Sequence, residues 1–192
     1  MTLTKAMLAI CAVAAGLALP VSSWAQKVRL STSMGDIVLQ LDAEKAPKTV
    51  ANFVQYVQAG HYSGTVFHRV IDGFMIQGGG MSTDMQEKPT RAPIPLESKN
   101  GLSNARGTVA MARTMVPDSA TAQFFINVGD NLRLDASNSS DGNGYAVFGK
   151  VIEGMEVVDR IKAVPVGNKA MHQNVPVQTI LIKQATLLKE TK

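Results

Sequence analysis

The stretch FHRVIDGFMIQGGG, residues 67 to 80, decides how the rest of the chain is read. Val66 to Ile71 and Phe74 to Gln77 are runs of strand-favouring residues separated by Asp72-Gly73, yet Arg69 stands inside the first of them. On strand alternation alone, Arg69 reads as a surface residue on the polar side of a half-buried strand, paired with a nearby carboxylate. Its neighbours add a second reading. Phe74, Met75 and Gln77 follow directly, and Gln123-Phe124-Phe125 supplies another amide-aromatic group on a separate strand. Met75 and Phe124 fit core packing equally well. Two amides and an arginine among apolar rings, on strands that can adjoin, describe a cleft with an apolar pocket and a few directed donors. Gly78-Gly79-Gly80 is not followed by a helix carrying Lys and Ser, so it reads as a bend in a strand rather than a phosphate cradle.

Working outward, Val28 to Thr32 and Ile37 to Leu41 read as two antiparallel strands around Gly35-Asp36. From Pro47, the positions Val50, Phe53, Val54 and Val57 repeat as one face of a helix, with proline suited to its first turn and Gly60 to its end. Further strand-like runs are Thr108 to Met111, Gln123 to Asn127, Tyr145 to Val151 and Val177 to Leu187. Met155 to Lys162 reads as a second amphipathic helix through Met155, Val158 and Ile161. Many short strands with two helices suggest a closed barrel or sandwich with helical covers. The connectors 81–107 and 115–120 are long, as functional surface loops often are.

At the N-terminus, Lys5 precedes an apolar run from Ala6 to Leu19, and Ser23-Trp24-Ala25 offers small residues at the spacing of a signal-peptidase site. Residues 1–25 therefore read as a cleaved secretory leader and 26–192 as one exported domain, which places the protein in the periplasm and off the membrane once cleaved. Cys11, the single cysteine, lies in the leader, so the mature chain has no disulfide and no thiolate nucleophile. With Lys5 subtracted from 19 Lys and Arg, 18 basic residues face 15 acidic ones, scattered rather than striped, which gives no sign of a nucleic-acid partner. No phosphate loop, Gly-x-Ser-x-Gly elbow or pair of histidines at metal-ligand spacing occurs, so neither a cofactor nor a metal is expected. His68 reads as structural, and His61 and His172 sit in loop-like contexts without a message.

Taken together, FHRVIDGFMIQGGG, GTVAMAR, SATAQFFIN and GYAVFGKVIEGMEVVDRI resemble, in order and spacing, the cyclophilin family of peptidyl-prolyl cis-trans isomerases. With the leader, the similarity is to periplasmic members of Gram-negative bacteria. It implies a mainly β fold, a closed eight-stranded antiparallel β-barrel capped by two α-helices. It also implies roles: Arg69 as the catalytic arginine, with Gln77 orienting it and the substrate. Phe74, Met75, Phe125 and Leu134 would form the pocket for the substrate proline. Ala112 and Arg113 match the segment whose backbone holds the residues before that proline, although many relatives carry Asn at Arg113. Gln123 matches another polar wall residue. Arg133 stands where relatives have Trp or Phe, and Tyr145 where some have His. Losing the indole implies weak cyclosporin binding. The implied partners are proline-containing polypeptides, met by a monomer. A prolyl-peptide binding module or chaperone with little turnover is the alternative from another class; a lipocalin-like ligand barrel is argued against by the motifs.

Overall fold

The computed structural model describes residues 26–169 and 171–189; the leader, with Cys11, lies outside them. Among the described residues, ten strands and two α-helices follow one another. β1 is Lys27–Thr32 and β2 Gly35–Leu41; α1 is Pro47–Gln58. β3 is Thr65–Ile71, β4 Met75–Ser82, β5 Thr108–Met111, β6 Phe124–Asn127 and β7 Val147–Glu153. Then come α2, Met155–Lys162, β8, Val166–Lys169, β9, His172–Pro176, and β10, Leu181–Leu188. Eight of the strands close an antiparallel barrel in the order β1-β10-β3-β4-β6-β5-β7-β2, while β8 and β9 form a separate two-stranded sheet. The sequence reading runs from Val177 into the last strand and does not anticipate β8 and β9; Val177 is instead 75% exposed ahead of β10.

Alternation along the strands fills the barrel. Val28 and Leu30, Ile37 and Leu39, Ile76, Val109 and Met111, Phe124 and Ile126 all belong to one buried cluster. Phe53 of α1 lies against it, 5.5 Å from Phe124 and 5.0 Å from Phe148 between ring centroids. The α1 face expected from the sequence, Val50, Phe53, Val54 and Val57, is buried. Ala46 cannot cap this helix. Its first turn is instead satisfied by Glu97 of the long connector, whose carboxylate accepts from Lys48 N (3.1 Å), Thr49 N (2.8 Å) and Thr49 Oγ1 (2.7 Å). The connector thus holds α1, and between β4 and β5 it contributes no residue to the cleft described below.

Two irregularities place the site. Phe67 pairs with Gly78 and Arg69 with Gln77, so His68 is an extra residue in β3, a β-bulge. In a regular strand Arg69 would share a face with Phe67. With the bulge, Phe67 and Val70 both point into the barrel core and Arg69 turns outward. The second irregularity is the glycine run of β4. Gly79 has φ +85°, and a Cβ there would lie 2.8 Å from both the Tyr62 and Phe124 rings; one at Gly80 would overlap the Gln123 side chain. These glycines bend the strand, as expected, and the room they leave is filled by core rings and by a side chain of the cleft.

Candidate active site

The outward faces of β3, β4, β6 and the ends of β5 and β7 form a cleft of about 460 Å³. Arg69, Gln77, Phe74, Met75, Ala112, Arg113, Gln123, Phe125, Leu134 and Tyr145 all line it. Of the candidate residues, Arg133 alone stands outside its lining. Its guanidinium lies 4.7 Å from the Phe74 ring centroid and covers that ring from the solvent side.

The apolar half is a small cluster separate from the barrel core: Met75, Ala110, Phe125 and Val147 buried, with Phe74, Leu134 and Tyr145 partly buried around them. Phe125 and Tyr145 meet edge to face at 5.7 Å. This slot is braced from below by asparagines that the sequence reading did not single out. Asn131 Nδ2 donates to Phe74 O and to Asn127 Oδ1, both at 2.7 Å, and Asn127 Nδ2 donates to Thr108 Oγ1 at 2.9 Å. Asn104 Nδ2 reaches Asp135 Oδ1 at 2.9 Å and Tyr145 O at 3.3 Å. Asp135 also accepts from Ser103 Oγ at 2.6 Å. Burial pushes the Asp135 carboxyl up, but the hydrogen bonds from Ser103 and Asn104 outweigh that and hold it below its usual range. Asn104 and Asn131 read as turn chemistry and Asn127 only as the end of a strand, so nothing in the sequence marked the three as a brace.

The polar half is a row of three side chains. Arg69 Nη1 donates to Gln77 Oε1 over a long 3.5 Å, and Gln77 Nε2 donates to Gln123 Oε1 at 2.9 Å. Among the described residues no carboxylate pairs with Arg69. The surface ion pair that alternation suggests is absent there, and its donors remain open toward the cleft.

Arg113 is the contrast. Its side chain is 3% exposed and donates to Gly144 O (2.8 Å), Thr114 O (2.9 Å) and Asp141 Oδ2 (2.5 Å), with the guanidinium 4.7 Å from the Tyr145 ring centroid. Hydrogen bonds from Asn143 N and from Arg113 hold the Asp141 carboxyl well below the usual range. Arg113 is committed to the loop that positions Tyr145, leaving its backbone as the part that faces the cleft.

The histidines carry more than the sequence disclosed. His68, the bulge residue, is 5% exposed, and among the described residues its Nδ1 has no hydrogen-bond partner; burial lowers its pKa to about 4. His61 Nε2 lies 3.1 Å from Gly79 O and packs on Tyr56 at 4.6 Å, pinning the glycine bend. His172 lines the cleft with Met171, Gln173 and Asn174 from the β8–β9 hairpin.

Comparison with known proteins agrees over nearly the whole described chain. The model of the family described as cyclophilin type peptidyl-prolyl cis-trans isomerase/CLD matches residues 27–187. The peptidyl-prolyl cis-trans isomerase cyp18 of Streptomyces antibioticus is 59% identical over 84% of this chain and 98% of its own. Peptidyl-prolyl cis-trans isomerase A of Dickeya dadantii is 55% identical, covering 85% of each chain. A crystal structure of a cyclophilin-type isomerase from Cryptosporidium parvum, solved in the presence of the dipeptide Ala-Pro, superposes with a TM-score of 0.70 at 28% identity, over 86% of this chain and all of that one. A closed eight-stranded barrel, an apolar slot flanked by an open arginine, and these relatives converge: the chain belongs to the cyclophilin family and is a cyclophilin-type peptidyl-prolyl cis-trans isomerase.

Proposed function

We propose that Arg69 drives X-Pro rotation by donating to the prolyl nitrogen, and that the substrates are exported polypeptides folding in the periplasm. Resonance holds the X-Pro bond planar behind a barrier of about 18–20 kcal/mol, and spontaneous exchange takes roughly tens to hundreds of seconds. Rotation localises the lone pair on the prolyl nitrogen. A donor aimed there stabilises the twisted state over either planar isomer, and no covalent bond need break. A guanidinium offers its N–H groups in a fixed fork. In a partly desolvated cleft, one preorganised donor of this kind is worth roughly 3–4 kcal/mol. The observation that carries the reading is the open Arg69 fork beside the Phe74-Met75-Phe125 slot, with Gln77 and Gln123 fixing its orientation. That the Cryptosporidium relative was crystallised with an Ala-Pro dipeptide supports a proline in the slot.

The Lys5 and Ala6 to Leu19 pattern, ending at Ser23-Trp24-Ala25, supports export. Arg133 presents a charged group over Phe74 where an indole would offer a flat apolar face, which supports weak binding of cyclosporin. The test is cis/trans exchange of a proline peptide by NMR, with protein beginning at Gln26. Exchange in wild type that collapses in Arg69→Ala is expected. Peptide binding without exchange in wild type would favour a binding module. N-terminal sequencing of the periplasmic protein should begin at Gln26; an intact leader on cytoplasmic protein would refute export.

A further inference from the structure

The cleft has a second wall that the rotation chemistry does not require. The β8–β9 hairpin belongs to no barrel sheet; β8 is exposed throughout, and the pair is anchored through Val175 and Pro176 of β9, which are buried. β9 packs along β3, the strand that carries Arg69. Its turn delivers Met171 and His172 to the cleft on the Arg69 side, across from Ala112 and Arg113 at the end of β5. Met171 is 94% exposed, and Met81 of β4 lines the cleft with it; Lys169 Nζ of β8 lies 3.5 Å from Thr83 O, two residues beyond Met81. An unbranched thioether is adaptable apolar surface, and one held out at a cleft edge has more to gain from a ligand than from its own chain.

We propose that the β8–β9 hairpin is a specificity wall: Met171 and Met81 receive an apolar side chain, Leu, Met or Phe, of the residue following the proline. The direction follows from placement. The residues before the proline are expected at Ala112 and Arg113, so the chain leaves the slot past Arg69 toward β9. This deepens the isomerase reading and rests on the cleft being the substrate site.

The experiment measures NMR exchange for three peptides: capped Ala-Pro, and longer peptides with Leu or Ser directly after the proline. Wild type should prefer Pro-Leu over Pro-Ser about fivefold in kcat/KM, carried by KM, the scale of burying part of one thioether against a side chain. Met171→Ser should narrow that ratio below twofold, while Val177→Ser, exposed and off the cleft, should keep it. No preference in wild type, an undiminished ratio in Met171→Ser, or a preference that tracks the residue before the proline would each overturn the proposal. The Met171 methyl resonance should also shift on titration with the Pro-Leu peptide. A methyl that does not move overturns the wall by itself. Failure of capped Ala-Pro to exchange on wild type would instead remove the isomerase reading, and the methyl titration would still decide the wall.

Discussion

Phe124 and Phe125 are neighbours on one strand and do opposite work. Phe124 points into the barrel, fully buried, with the Phe53, Tyr62 and Phe67 rings 5.5, 5.5 and 6.2 Å from its own. Phe125 points to the outer face, where it shares a small cluster with Met75 and Tyr145. The pleat of β6 sends alternate side chains to a sealed core and to an open slot, and β4 and β5 do the same with Ile76 against Met75 and Val109 against Ala110. The lesson is that stability and catalysis are built from the same strands but from different parity, and that a single inserted residue, His68, moves Arg69 from one parity to the other.

Matched substitutions test that division. Phe124→Ala should cost about 3–5 kcal/mol in urea unfolding, the scale for truncating a buried phenylalanine. Phe125→Ala should cost about 2 kcal/mol in the same assay, because its cluster is smaller and open on one side, yet lower kcat/KM by tenfold or more through lost grip on the proline ring. Equal stability losses with unchanged exchange in Phe125→Ala would break the comparison.

The bulge itself reports through pH. His68 has its pKa lowered from 6.5 to about 4 by burial, so the folded state holds it neutral while the unfolded chain takes up a proton below pH 6.5. The stabilisation is therefore complete above about 6.5 and is lost as pH falls toward 4. Between pH 7 and 4.5, the unfolding free energy should drop by about 2 kcal/mol from this group. His68→Gln should flatten that part of the profile; an identical slope would show that the ring is not held neutral at the bulge. The smallest effect is on the rim: Arg133→Trp should tighten cyclosporin inhibition by about tenfold, near 1.4 kcal/mol, and unchanged inhibition would remove Arg133 from that surface.

Much of this division was legible in the sequence. Val28 to Thr32 and Ile37 to Leu41 are rich in Val, Ile and Leu around Gly35-Asp36, Pro47 to Val57 keeps a helical face, and the family resemblance brought ten of the named residues to one cleft. Three things were not. The bulge at His68 leaves no trace in the pattern Phe67-His68-Arg69-Val70, because an extra residue shows only against its partner strand. The β8–β9 hairpin reads as loop because Gly167, Asn168, His172, Gln173 and Asn174 carry no strand preference, and it survives by packing on β3. In the brace of Asn104, Asn127 and Asn131, the bonds to Asp135, Thr108 and Phe74 span 31, 19 and 57 positions of the chain, and amides acquire a role only when folding brings their partners within reach.

In the proposed mechanism the bulge aims the Arg69 fork at the slot, and this fork performs the rotation. Its most direct measurement is the on-enzyme cis/trans exchange rate of a saturating proline peptide, by two-dimensional exchange NMR, in wild type and Arg69→Ala. The expected result is an exchange rate lower by about 10²–10³ with peptide affinity changed less than about threefold. On-enzyme exchange that survives in Arg69→Ala, with affinity alone reduced, would contradict it.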